Sequence, residues 1–388
     1  MSLQERITAL AQAVGTDIKA LRADVHGAVA PLKPLLVYYG YPIAYKGLWN
    51  AAAVIAEIAA NFSVWVVGDT YGDPAHEEYA TTTAIVSGVR SAGVKVYGYV
   101  PIGQNTSGLT LAQMQERADQ WDTIGVDGIF LDEFGFDYAN TRTRQKSIVD
   151  YVHGKDLPVC ANAWTAEDFM CDHVSELPWP SNDWRYVNFT TGNPTNIALT
   201  RNTGDAYLIE NFCFDHTGPG NVFDVQERCE LTVLLAAAKN VVLWALAVFP
   251  ESTPGTLNQA LVGHLGTLEN AGAYIAANAY VYDIGVVGSG GFSFGSNGTP
   301  IWAPLPSMPA PATPPTAAAA TDYVACTAVR NFGQLRVLVK NTLDVQSVSV
   351  TNVSAAVLSG NYPGQGQTVI VSPTPPADPG VYQIWIQT

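Results

Sequence analysis

The stretch "GVDGIFLDEFGFD", Gly125 to Asp137, decides how the chain is read. An apolar run, Ile129-Phe130-Leu131, ends abruptly in two acids, Asp132 and Glu133. Successive side chains of a strand point to opposite faces, so Ile129, Leu131 and Glu133 share one face while Phe130 and Asp132 share the other. Apolar runs of this kind are strands of a parallel sheet covered by helices. In a closed parallel barrel, polar residues that end such runs line the mouth where chemistry takes place.

The pattern recurs in "LLVYYG" (35–40), "SVWVVGD" (63–69), "VKVYGYV" (94–100), "LPVCAN" (157–162), "DAYLIEN" (205–211) and "VVLWALA" (241–247). Stretches with helical spacing of apolar residues lie between them, among them "LWNAAAVIAEIAANF", "TLAQMQERADQWDTIG" and "TRTRQKSIVDYVHG". A last helix is predicted from Leu257 to about Asn278, with "YVYDIG" (280–285) as the eighth strand. Eight such units in about 250 residues predict an α/β chain with a (β/α)8 TIM barrel over residues 34–290. No GxGxxG follows the first strand, which removes the main reason to prefer an open dinucleotide-binding sheet. The segment 163–204, with "ELPWPSNDW", reads as a loop-rich insertion over the mouth.

Three smaller regions flank the barrel. Residues 1–33 hold Ile7, Ala11, Val14, Ile18, Leu21 and Val25 at alternating spacings of four and three, the rhythm of a short coiled coil. Two readings stand: three identical chains meeting here as a homotrimer, or one amphipathic helix folded on the next domain. Residues 291–322 form a Gly-rich and then Pro/Ala-rich linker, within which "GFSFG" is a turn rather than a nucleophile elbow. Residues 323–388 alternate as strands with Gly, Pro and Asn punctuation, a small all-β, sandwich-like module.

The chain has 388 residues, 48% hydrophobic and only 14% charged, with a net charge of −15. Such an acidic surface disfavours nucleic acid as a partner and favours neutral or cationic ligands. The five cysteines are odd in number and lack CxxC spacing, which argues against a disulfide framework and a zinc ribbon. The six histidines form no HExxH, and no Walker motif is present, so neither a metal nor any other cofactor is expected. No signal peptide and no run of about 20 apolar residues is found, so a chain made in the cytoplasm without membrane insertion is expected.

The candidate chemistry follows from the strand ends. In "DAYLIEN" the alternation groups Leu208 with Glu210, so Asp132 and Glu210 are predicted to converge on the mouth as a catalytic pair. Two such carboxylates are what glycosidic cleavage requires, one as nucleophile or base, the other as an acid with a raised pKa. Asp69 and Asn162, ending their own runs, are candidates for holding sugar hydroxyls, although Asp69 equally suits the start of the turn "DTYGDP". Tyr38, Tyr39, Tyr99, Trp164 and Trp244 offer aromatic faces for sugar rings. Glu133 is a supporting group, expected to pair with Arg142 or Arg144. Glu251 is expected to serve its loop.

"VDGIFLDE", preceded by "VYGYVPIG" and followed by "AYLIENF", resembles the endo-α-1,4-polygalactosaminidase and spherulin-4-like glycoside hydrolases. The resemblance spans roughly residues 34–285 and implies a TIM barrel with Asp132 and Glu210 as the catalytic pair. It departs at Gln104, where the family usually carries an acid after the third-strand glycine. "ITALAQAVGTDIKAL" is similar to the opening of bacteriophage tail-fibre and tailspike proteins. That implies a virion location, attachment to other tail proteins through the N-terminal segment, and a barrel serving as receptor binder or capsule depolymerase; joined to the polygalactosaminidase resemblance, it implies endo-cleavage of a bacterial surface or capsular polysaccharide, with a galactosamine-containing one as the candidate. The rival expectation is a non-catalytic receptor-binding or structural tail protein that keeps the barrel as a recognition platform.

Overall fold

The computed structural model describes residues 32–68, 70–171, 181–182, 204–215, 218–219, 222–258 and 268–305, together with short strands between 320 and 386. The N-terminal segment, Asp69, most of the 163–204 insertion and the expected strand "VQSVSVTNV" lie outside the described residues.

Eight parallel strands close into a barrel: β1 (Lys33–Tyr38), β2 (Val64–Val67), β3 (Lys95–Pro101), β4 (Gly128–Asp132), β5 (Val159–Asn162), β6 (Ala206–Glu210), β7 (Val242–Phe249) and β8 (Val286–Gly291). They follow chain order around the ring, and β1 pairs with both β2 and β8. The predicted (β/α)8 class is therefore the observed one.

The helices start where the sequence supplies caps. The Oδ1 of Asn50 accepts from Ala53 N over 3.0 Å to open α1 (Ala51–Asn61). Helix α2 spans Tyr79–Ser91. Thr110 and Gln113 form a reciprocal capping box for α3 (Leu111–Ile124), and Gly125, at φ 86°, ends it in the left-handed region. Thr141 accepts from Arg144 N over 3.2 Å to open α4 (Arg142–His153). Helix α5 (Glu167–Met170) is one turn long, and α6 (Val222–Lys239) and α7 (Leu268–Val281) complete the set. Trp121 of α3 is fully buried, and its Nε1 donates to Tyr99 O over 3.0 Å, locking that helix against β3.

Strand eight corrects the sequence reading. Helix α7 continues to Val281, and the strand is Val286–Gly291, "VVGSGG", not "YVYDIG". Nor does a helix begin at Leu257, because Thr256–Leu257 pairs antiparallel with Glu251–Thr253 in a short hairpin. The eighth strand was masked by its glycines, which carry no apolar signal. They are there for room: a Cβ on Gly288 would collide with the carbonyl oxygen of Leu35 across the β1–β8 seam.

The barrel interior is filled by Leu35, Val37, Val64, Val66, Tyr97, Phe130, Cys160, Ala206, Leu208, Trp244, Leu246 and Val286. Ile129 and Leu131 are equally buried on the opposite face of β4, as the alternation requires. At the N-terminal end of the strands the carboxylates are tied down. Asp127 accepts from Arg90 Nε (2.9 Å) and Nη2 (3.0 Å), Lys95 Nζ (3.1 Å) and Val96 N (3.0 Å). Against the upward push of burial, these bonds hold it below the usual carboxylate range.

By internal packing, Lys33–Leu268 and Val286–Pro304 form one compact unit, and Glu269–Gly285 belongs with the residues from Leu305 onward in a second. Within that second unit, β9 (Ala320–Asp322), β10 (Thr327–Phe332), β11 (Leu335–Lys340) and β12 (Val381–Ile386) form one antiparallel sheet in chain order. Cys160, Cys171, Cys213 and Cys229 are buried, and Cys326 lies outside the described residues.

Candidate active site

Period-two alternation builds the site. Two residues beyond the interior positions Val37, Tyr97, Phe130, Cys160 and Leu208 come Tyr39, Tyr99, Asp132, Asn162 and Glu210. These five are the next interior step on β1, β3, β4, β5 and β6, at the C-terminal end of the barrel. On β2 the same step is Gly68, where a Cβ would run into the Tyr39 ring, and on β8 it is Gly288, packed on Leu35. Each acid is followed by a non-glycine residue in the left-handed region, Glu133 at φ 56° and Asn211 at φ 55°. That conformation costs roughly 1 kcal/mol per residue and turns the chain off the strand, so each acid is the last residue of its strand.

Asp132 and Glu210 do converge. The Nδ2 of Asn162 donates to Asp132 Oδ1 over 2.8 Å and to Glu210 Oε2 over 2.9 Å. The two acceptor oxygens are therefore at most about 5.7 Å apart, the sum of the two bonds. Asp132 also accepts from the Tyr99 hydroxyl at Oδ2 (2.8 Å) and from Glu133 N at Oδ1 (2.9 Å). Among the described residues, Glu210 Oε1 has no hydrogen-bond partner.

The electrostatics separate the two acids. Burial, and then the neighbouring Asp132, push Glu210 up to about 7, against smaller downward pulls from Asn162 and Arg228. Burial also raises Asp132, but Tyr99, the Glu133 N–H and Asn162 oppose it. Glu210 thus keeps its proton near neutrality, while Asp132, with three donors, is the better-supported anion. This is the reverse of Asp127 at the other end of the barrel, whose charge is neutralised by cations.

Tyr39 packs against Tyr99 (5.0 Å between centroids) and Phe294 (5.1 Å), making an aromatic wall beside the acids. Burial, followed by the charge of Asp132, raises the Tyr39 hydroxyl well above its ordinary range. Trp164, two residues past Asn162, is 56% exposed and has the Arg228 guanidinium carbon 4.7 Å from its ring centroid. Arg228 Nη2 in turn donates to Glu210 O over 3.1 Å.

Three expectations change. Tyr38 is fully buried on the other face of β1, its hydroxyl on Tyr41 O (3.2 Å) and its ring edge-on to Tyr45, so it lines no site. Trp244 faces the interior but lies one step too deep: it pairs with Leu208, packs on Tyr97 at 4.7 Å and is buried. Glu133 does not take Arg142 or Arg144 as partner. Arg142 donates to the carbonyls of Asp168 (2.6 Å) and Cys171 (3.0 Å), and Arg144 to those of Ile102 (2.8 Å) and Leu109 (2.7 Å). The Glu133 carboxylate instead accepts from the Thr106 hydroxyl, which ties the loop after β3 to that after β4. Glu251 does serve its loop, accepting from Gly255 N (2.7 Å) and Ser293 N (2.7 Å).

Four residues of the mouth escaped the sequence reading: Tyr138, Arg228, Phe294 and Thr106. Tyr138 feels the charges of Asp137, Asp132, Glu210 and Glu133 after that of burial, and its hydroxyl is raised to about 12. Its place in "DEFGFDY", six residues after Asp132, was the available signal. Nothing in "VFDVQERCE" distinguishes Arg228 from a solvated helix residue.

The chain is thus a (β/α)8 barrel protein whose mouth carries a half-buried, amide-bridged carboxylate pair. No family model matches the sequence, and no curated protein is similar to it. Among solved structures, the glycoside hydrolase domain of PelA from Pseudomonas aeruginosa is similar over 68% of this chain and 96% of its own, at 12% identity and a TM-score of 0.39. An O-GlcNAc hydrolase variant of Thermobaculum terrenum is similar over 68% of this chain and 56% of its own, at 11% identity and 0.37. The carboxyl transferase domain of Rhizobium etli pyruvate carboxylase is similar over 67% and 39%, at 8% identity and 0.39. Likenesses this low reach hydrolases and a carboxyl transferase alike, and the functional argument rests on the site.

Proposed function

We propose that this protein is an endo-acting glycoside hydrolase that breaks a polysaccharide with retention of anomeric configuration. The observation that carries the reading is the pair itself: Asp132 and Glu210, half-buried, bridged by one amide, and, among the described residues, without a cationic side chain hydrogen-bonded to either carboxylate. Inverting enzymes need about 6.5 to 9.5 Å between their carboxyls to admit a water, whereas retaining ones need only about 5 to 5.5 Å. The bridged oxygens, one from each acid and at most about 5.7 Å apart, set the two carboxyls on one short gap, and we infer from it the two-step route, which needs no water between them.

In the first step Asp132 attacks the anomeric carbon while the proton of Glu210 Oε1 passes to the glycosidic oxygen, whose bond to that carbon breaks. A glycosyl ester on Asp132 and a free sugar hydroxyl result. In the second step Glu210, now a carboxylate, takes a proton from water as the water oxygen attacks the same carbon. The ester bond breaks, and both acids regain their starting states.

The aromatic wall of Tyr39, Tyr99 and Phe294, with exposed Trp164 beyond the acids, suits the apolar faces of successive sugar rings. The net charge of −15 suits a polymer bearing free amines, consistent with a galactosamine-containing bacterial surface polysaccharide. The phage-like sequence of residues 7–21 supports a place on a virion tail, attached and trimerised through that segment.

The test is incubation with a panel of amino-sugar and capsular polymers, read by mass spectrometry for new oligosaccharides and by NMR for the first anomer released. Cleavage with retention is expected. Binding to a polymer without new reducing ends would favour the recognition-platform alternative, and first release of the inverted anomer would reject the two-step route.

A further inference from the structure

We propose that Asn162 is a positioning residue of the carboxylate pair: its one amide nitrogen donates a hydrogen to each acid, fixing their separation and holding the negative charge wherever it resides during turnover. The inference rests on the hydrolase reading and extends it to a third side chain.

The topology singles out this position. Strand β5 has β4 and β6 as its two neighbours in the ring, so the top interior residue of β5 stands between those that carry the acids. The chemistry of the neighbours fixes which way the amide faces. With carboxylate oxygens 2.8 and 2.9 Å away, the group between them must be the NH2, because an amide oxygen there would meet two acceptors. Both hydrogens are thereby used, and among the described residues Asn162 Oδ1 is left without a partner, open to a sugar hydroxyl.

Only another carboxamide, that of the longer glutamine, offers the same neutral double donor. Serine has a single hydrogen and can reach one acid at a time. Aspartate would add a third negative charge, and lysine or arginine would pair with both acids and remove the acid's proton at neutral pH. A neutral double donor opposes the effect of burial on both carboxyls without choosing between them.

The role is clearest in the reaction. In the first step Asp132 gives up its charge in forming the ester, and Glu210 acquires one by losing its proton. The second step reverses both changes. A donor already touching the two acids stabilises the charge at either place with no movement, which is the preorganisation that lowers barriers.

The experiment compares full-length wild type with Asn162→Ala and Asn162→Ser in two readouts. Carboxyl carbon NMR titration follows the two acids without needing turnover, and the pH dependence of kcat/KM follows them through it. In Asn162→Ala both carboxyl titrations and both limbs of the bell are expected to move to higher pH, with kcat down ~10²-fold and KM nearly unchanged. Asn162→Ser is expected to restore one titration and leave the other displaced. Unmoved titrations in a folded Asn162→Ala protein overturn the inference, as does a fall in kcat with an unmoved bell, the mark of a merely structural loss. If the titrations move but wild type cleaves no polymer, the hydrolase reading fails while the electrostatic role of Asn162 stands.

Discussion

Arg228 lies with its guanidinium carbon 4.7 Å from the ring centroid of Trp164, beside the acids and yet hydrogen-bonded to neither carboxylate. One face of the indole is held by the cation, and a ring 56% exposed leaves the other to solvent. On the proposed hydrolase reading, the indole is thereby fixed in orientation before a sugar ring arrives. Trp164→Ala is expected to raise KM for polymer ~10-fold, the worth of one aromatic stacking contact, with little change in kcat. Initial rates against polymer concentration check it.

Asp132→Asn and Glu210→Gln should each lower kcat by ~10² or more while retaining polymer affinity. Isothermal calorimetry with each variant separates lost chemistry from lost binding, and undiminished turnover in either would reject its assignment.

Glu210 also sets a pH dependence of stability. Its native value of about 7 lies above the ordinary 4.5, so the native state binds this proton more tightly than the unfolded chain does. Stability from this group therefore declines as pH rises from 4.5 to 7 and is flat beyond. The full loss is on the order of 3 kcal/mol. Glu210→Gln removes the ionisation, so the variant is expected to be more stable than wild type at pH 8 and nearly equal to it near pH 4. Urea denaturation at several pH values measures this, and a wild type more stable than the variant at pH 8 would contradict it.

Tyr99→Phe deletes one of the three donors to Asp132, the 2.8 Å bond at Oδ2. In the proposed reaction Asp132 must be ionised to attack, and loss of a donor raises its pKa further. The acidic limb of the rate profile is expected to move to higher pH, so the variant loses ~10-fold at acidic pH and much less near the optimum. A pH–rate profile decides it.

Gly288→Ala sets a side chain against the Leu35 carbonyl oxygen at the closing seam, where backbone meets backbone and neither yields easily. A loss of about 2 to 4 kcal/mol is expected from overpacking, measured by chemical denaturation.

The barrel was legible because seven of its strands are apolar runs, and the acids were legible because strand alternation carries Phe130 to Asp132 and Leu208 to Glu210. Asn162 was legible as the polar end of its run, but its role between two acids depends on ring neighbours that a linear sequence does not display. Tyr38 was misread because "VYY" offers two tyrosines and only alternation from Val37 tells that Tyr39 is the inward one. Trp244 faces inward as expected of a strand residue, and only the register against Leu208 shows that it stops a layer short. Arg228 comes from a helix, where no strand rule applies.

The seam between β1 and β8 joins residues some 250 positions apart, with Lys33 opposite Val286 and Leu35 opposite Gly288. During synthesis the first seven strands therefore emerge as an open ribbon, with both outer edges lacking partners until the last glycine-rich segment leaves the ribosome. A gene truncated before codon 286 would yield, not a smaller barrel, but a sticky open ring of seven strands whose exposed borders recruit one another.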